Sequence, residues 1–182
     1  SAAISKLKPG TYKFVDYLDD DGYGTANIKI AITMNIVSDL VVLDFTDSST
    51  MVKGNLNCPE AVLAAASYYC FRCMMPSYTP ACHGLFRNIE IKTREGSILN
   101  AKRPAAVAAG NVETSMRLVD VIFGALAKAS PELVPSAAQG TMNNIAMGLI
   151  DDDKGTRWDY YETVAGGTGG GPVFEGLDGK HS

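Results

Sequence analysis

A chain of 182 residues, 46% hydrophobic and 20% charged, has enough apolar material for one packed core. Its formal charge of −4 gives it no electrostatic reason to seek nucleic acid or an anionic membrane. No apolar run nears the roughly 20 residues of a membrane span, and the first eight residues lack the apolar stretch of a signal peptide. The four cysteines, Cys58, Cys70, Cys73 and Cys82, read as reduced thiols of a cytoplasmic protein, because a chain this rich in core residues needs no disulfide framework. The missing initiator Met and the abrupt stop at His181-Ser182 read as the ends of an internal piece of a longer polypeptide, folded as a single α+β domain over residues 1–182.

Residues 10–45 predict an antiparallel β-meander. Tyr12 and Phe14 alternate with Thr11 and Lys13, and Asp19, Asp20, Asp21 and Gly22 supply a turn. Ile28, Ile30, Ile32, Met34 and Ile36 then alternate with polar or small residues, the period of a strand with one buried face. After a turn at Ser38-Asp39, Val41, Leu43 and Phe45 repeat it. Residues 59–75 predict a helix: Pro59 suits a first turn, Ala61, Ala64, Ala65 and Ala66 favour the state, and Pro76 ends it. Its small face permits close approach of another element.

A strand is expected over residues 88–93, with Glu95-Gly96 turning it as a hairpin into Ser97-Ile98-Leu99. A second helix is expected over residues 111–129, with Asn111 as N-cap and Glu113 in the first turn. Leu118, Ile122 and Leu126 line up at i, i+4, i+8, and Ser130-Pro131 stops the helix. From Pro135 the chain becomes small and polar. A short strand through Leu149, a turn at residues 151–155 and a strand at residues 158–164 precede the run Gly166-Gly167-Thr168-Gly169-Gly170-Gly171-Pro172. The fold class is therefore α+β: an antiparallel meander packed with two main helices, and a polar, Gly-rich C-terminal third.

Few residues carry an obvious chemistry. Cys70 and Cys73 with Cys82-His83 invite a zinc site, but the first pair falls inside a helix, so the two thiols read as small core residues. Cys82 and His83 are adjacent, and on a strand they would point opposite ways, which argues against a nucleophile dyad. The acidic turns at residues 19–21 and 151–153 do not match the spacing of a calcium loop and read as solvated. The glycine run fits neither nucleotide template. Its readings are a backbone cradle for phosphate, a tight turn with close packing, or a loop completed by another chain. Glu162, beside that loop, is the one general acid/base candidate, weighed against an ordinary exposed strand carboxylate.

Several segments together resemble the hydantoinase B/oxoprolinase family. They are Gly54-Asn55-Leu56-Asn57-Cys58-Pro59, Gly96-Ser97-Ile98-Leu99-Asn100, Arg103-Pro104-Ala105-Ala106-Val107, Gly110-Asn111-Val112-Glu113-Thr114-Ser115, Gln139-Gly140-Thr141-Met142-Asn143-Asn144, Tyr160-Tyr161-Glu162-Thr163 and Ala165-Gly166-Gly167. The resemblance implies a hydantoinase A-type subunit or domain as partner. That partner binds ATP with Mg, and the assembly opens a small cyclic amide or, in a related branch, carboxylates a ketone. It implies a divalent metal held by His and Asp motifs outside this segment, so no metal and no cofactor is expected here, and no turnover by this piece alone. Residues expected to touch substrate are Asn111, Glu113, Gln139, Asn143, Asn144, Gly166 and Gly167, with Glu162 as the catalytic candidate. The alternative for the piece itself is a non-catalytic scaffold or interface module.

Overall fold

A computed structural model describes residues 4–80, 82–151 and 154–180, without the side chains of Ser5 and His83. The acidic pair Asp152-Asp153, His181 and the imidazole of the Cys82-His83 pair therefore lie outside the described residues.

The meander forms as its alternation dictates. Strands β1 (Gly10–Asp20), β2 (Ala26–Val37) and β3 (Leu40–Asp44) pair antiparallel in chain order. Ile28, Ile30, Ile32, Met34 and Ile36 are all buried, as are Val41, Leu43 and Phe45. The first turn sits slightly later than expected, because β1 keeps its pairing to Asp20. Asp21 makes that turn by accepting the N–H groups of Tyr23 and Thr25, each at 2.9 Å, and of Gly54 at 3.1 Å. Burial alone would raise the Asp21 carboxyl, but these donors outweigh it and hold the pKa at about 2.

The sheet then departs from a pure meander. Strand β4 (Ile89–Lys92) lies parallel to β3, giving a mixed four-stranded sheet in the order β1-β2-β3-β4. A parallel neighbour needs a crossover, and helix α1 (Glu60–Cys73), with Pro59 at its N-cap, sits within it. The hairpin expected after β4 does not form. Ser97 makes only isolated bridges to Thr50 and Asn100, and Ile98 and Leu99 enter the core from a loop.

Helix α2 (Ser115–Ala129) packs on β1 and β2, and α1 packs on α2. Leu118, Ile122 and Leu126 are fully buried, as their spacing requires. Gly124 sits over Phe14, whose ring would lie 2.6 Å from any added Cβ. A mid-helix glycine costs about 1 kcal/mol of helix propensity, and here it permits close approach of helix and sheet.

Asn111 is not an N-cap. A wide π turn, Gly110–Thr114, precedes α2, and Ala109 occupies the cap position without a side-chain bond. A loop sets this geometry. Gly110 rests on the Asn57 carbonyl, 2.3 Å from where a Cβ would be, and the Thr114 hydroxyl donates to the Leu56 carbonyl. Fully buried Asn57 in turn donates to the carbonyls of Val52, Gly54 and Ala106 at 2.9–3.0 Å and accepts the Val52 N–H at 2.8 Å. Three of the distinctive segments are thus knotted to one another.

Beyond Pro131 the chain leaves the core. Strands β5 (Asn144–Asp151) and β6 (Thr156–Thr163) form an antiparallel hairpin longer than the alternation suggested, exposed along nearly its whole length. The register puts Ile145, Met147 and Leu149 opposite Glu162, Tyr160 and Trp158. One face is therefore apolar, and the other carries the Arg157–Asp159 ion pair at 2.9 Å. A short ladder of β7 (Gly166–Gly167) and β8 (Asp178–Lys180) closes the glycine-rich region.

Candidate functional site

The two helices and the C-terminal loops enclose a cleft of about 670 Å³. Helix α1 contributes Val62, Ala65, Ala66 and Tyr69, a stripe at i, i+3, i+4, i+7. The facing stripe begins in the π turn and runs along α2 as Asn111, Ser115, Val119 and Phe123. Its spacing of four keeps it on one side of the helix, polar at the start and apolar further on. Ser136, Thr168, Gly169 and Lys180 complete the third wall. The alanines read as a close-packing face thus partly border open space: Ala66 is buried and Ala65 is exposed.

The expected substrate residues divide. Glu113, Gln139, Asn143 and Gly166 meet in a polar seam at the mouth of α2. The Thr141 hydroxyl lies 2.7 and 2.8 Å from the two Glu113 oxygens and 3.2 Å from Asn143 Oδ1. Gln139 Nε2 donates to the Thr141 carbonyl at 2.7 Å, and Gly166 presses on the Gln139 side chain so closely that no Cβ fits. Asn111 lines the cleft nearby. Asn144 stands at the base of the hairpin, bonded to Thr163 at 2.8 Å and to the Met142 carbonyl at 3.0 Å, while Gly167 belongs to the ladder with β8. Glu162 lies on the exposed apolar face of the hairpin and does not line the cleft. Its Oε2 accepts the Tyr160 hydroxyl at 2.5 Å, and that hydrogen bond, more than burial or charge, raises the Tyr160 pKa.

The glycine run is turned inward. The N–H groups of Thr168 and Gly171 donate to the Leu177 and Phe174 carbonyls at 2.9 Å, and the Gly170 carbonyl accepts from Ser136. Gly169 and Gly171 would drive a Cβ into the Ser136 carbonyl and the Phe174 ring. Close packing, rather than a phosphate cradle, explains these glycines.

A half-buried charge cluster escaped the sequence reading. Arg117 bonds Asp16 at 2.6 Å and stands 4.0 Å from Asp120, whose side chain is only 8% exposed. Burial raises the Asp120 carboxyl, against the pull of Arg117 and of the Ala138 N–H, and the Asp16 charge adds to the rise. The signal was present: Asp16 falls on the inward face of β1 with Phe14 and Leu18, and Arg117 and Asp120 are i, i+3 on α2.

The thiols are only half as expected. Cys58 and Cys70 are buried, and burial pushes Cys58 up to about 12 and Cys70 well above its ordinary range. Cys73 is exposed, because it falls on the outer face of α1 at its last turn. Among the described residues no three His, Cys, Asp or Glu side chains converge in a group that could hold a metal ion, so these residues do not fit the divalent metal that the resemblance implies. Among them, too, no helix is long and apolar enough to cross a membrane.

The sequence model of the hydantoinase B/oxoprolinase family matches residues 1–182. The chain belongs to that family. Within it, 5-oxoprolinase 1 of Arabidopsis thaliana is 38% identical over 164 residues, which is 90% of this chain and 12% of the relative. An ATP-dependent caprolactamase from Pseudomonas jessenii superposes with a TM-score of 0.83 at 21% identity, over 98% of this chain and 31% of that one. An acetone carboxylase superposes with a TM-score of 0.81 at 18% identity, over 100% and 26%. The two structural likenesses establish the α+β fold. The hydantoinase B chain thus spans about an eighth of the 5-oxoprolinase and under a third of each solved chain.

Proposed function

We propose that this chain is a piece of the B-type subunit of an ATP-dependent cyclic-amide hydrolase, working in the cytoplasm with an ATP-binding A-type subunit or domain. The observation that carries the reading is the 38% identity to a 5-oxoprolinase across nine-tenths of the chain. In this reading ATP with Mg is held by the partner, and the divalent metal by polypeptide outside these residues. The partner activates the amide carbonyl by phosphorylation, and the B-type subunit serves the hydrolytic half. In this reading the piece alone has no turnover, since its cleft is open and among the described residues no three His, Cys, Asp or Glu side chains group to hold a metal ion.

The carboxylase branch is the second reading, favoured by the likeness to acetone carboxylase. That likeness is one of fold, whereas the 5-oxoprolinase is also 38% identical over 164 aligned residues. The test supplies the full-length polypeptide and its A-type partner with 5-oxoproline, hydantoin or acetone, with and without ATP and bicarbonate. Ring opening that needs ATP and ignores bicarbonate is expected. Consumption of acetone that needs bicarbonate would replace the hydrolase reading, and turnover by residues 1–182 alone would end the claim of incompleteness.

A further inference from the structure

We infer that the cleft between α1 and α2 is the binding site for the cyclic amide itself, with the Asn111 carboxamide pairing with the ring's amide. The inference rests on the hydrolase reading and adds the place and the recognition chemistry. Asn111 lines the cleft from an exposed position, and its side chain makes no hydrogen bond to any described residue. A carboxamide presents one donor and one acceptor side by side. A small lactam is held in the cis form and presents the complementary pair, its N–H and carbonyl on one edge. Asn111 Nδ2 can therefore donate to the ring carbonyl while Oδ1 accepts the ring N–H. Ser115, next on the same stripe, is likewise without a side-chain hydrogen bond to a described residue.

The rest of the stripe suits the rest of such a ring. Val119 and Phe123 continue from Ser115, and Val62, Ala65 and Ala66 face them from α1. These walls take methylene groups and offer them no competing polar partner. Among the described residues that line the cleft Lys180 is the single cation, placed to meet a carboxylate carried on the ring. Asp120, the single anion among the described lining residues, is engaged by Arg117 and the Ala138 N–H. Helix, loop and glycine ladder thus supply an amide reader, an apolar bed and a carboxylate anchor on three sides of one cleft.

The test measures calorimetric binding of 5-oxoproline and of ε-caprolactam to the full-length polypeptide with its A-type partner, beside ATP-dependent ring opening. Asn111→Leu keeps the side-chain size and removes the amide pair; it is expected to weaken both rings at least tenfold and leave ATP affinity unchanged. Ala65→Phe fills the cleft from an exposed position and is expected to weaken both rings as well. Lys180→Gln is expected to weaken 5-oxoproline and spare caprolactam. If ring opening persists while both cleft variants bind like the parent protein, the site is wrong and the hydrolase reading stands. If the rings bind and the variants lose them but no ring opens with ATP, the hydrolase reading fails and the site stands. If neither ring binds, both fall.

Discussion

Residues up to Val134 and the residues after it obey different rules. In the first region most buried polar groups close their bonds: Asn57 spends its amide on three carbonyls and one N–H, and Asp21 collects three N–H donors, while Arg117 Nε and Asp120 Oδ2 are buried without a hydrogen bond to a described residue. In the second, large apolar side chains stand exposed on the hairpin, with Trp158 at 50%, Met147 at 52% and Leu149 at 53%. The first region largely satisfies itself. The second presents an apolar face, a polar seam and one wall of a cleft, surfaces whose worth lies in what they meet.

Asn57→Ala should show the self-satisfied side most strongly. It strips partners from four backbone groups, of which the Gly54 carbonyl is buried and those of Val52 and Ala106 are partly open; an orphaned buried group costs about 1–3 kcal/mol, so a loss of at least about 2 kcal/mol is expected in urea denaturation. A loss below about 1 kcal/mol would mean that the loops around residues 52–57 and 106 are held by something else. Asp21 gives a smaller, pH-gated effect. Its folded pKa of about 2 lies below the ordinary value of 3.8, so its contribution is complete above pH 4 and fades as the pH falls toward 2. Melting temperatures of Asp21→Asn should therefore trail the parent near neutrality and converge with it in acid. A constant gap down to pH 2 would remove the carboxylate from the explanation. The smallest effect belongs to the other region. Trp158→Ala should shift the unfolding free energy of residues 1–182 by under about 0.5 kcal/mol, because the indole packs on no core. A loss of 2 kcal/mol would erase the contrast between the regions.

The meander was legible because a period of two has one physical meaning: Ile28, Ile30, Ile32, Met34 and Ile36 are all buried on one face, while of the alternate residues only small Ala31 is. Helix α2 was legible for the same reason at period four. The parallel placement of β4 was not, because nothing in Ile89 and Ile91 records whether a strand joins β3 from a hairpin or across a helix. Asn111 was misread as a cap because its residue type favours that role, while the competing cause, the carbonyl of Asn57 under Gly110, lies 53 positions away in the chain. Of the expected site, Glu113, Gln139, Asn143 and Gly166 do meet, and the other members separate: Asn111 into the cleft, Glu162 onto the open hairpin.

The sequence by itself determined the α+β class, the strands and helices of the first region and the family, since local periodicity and ordered motifs are properties of neighbouring residues. Tertiary structure alone decided the mixed sheet, the π turn, the Asp16–Arg117–Asp120 cluster and the cleft between the two helical stripes. Each of these depends on groups far apart in the chain being held within a few ångströms, and only the packed backbone holds them so.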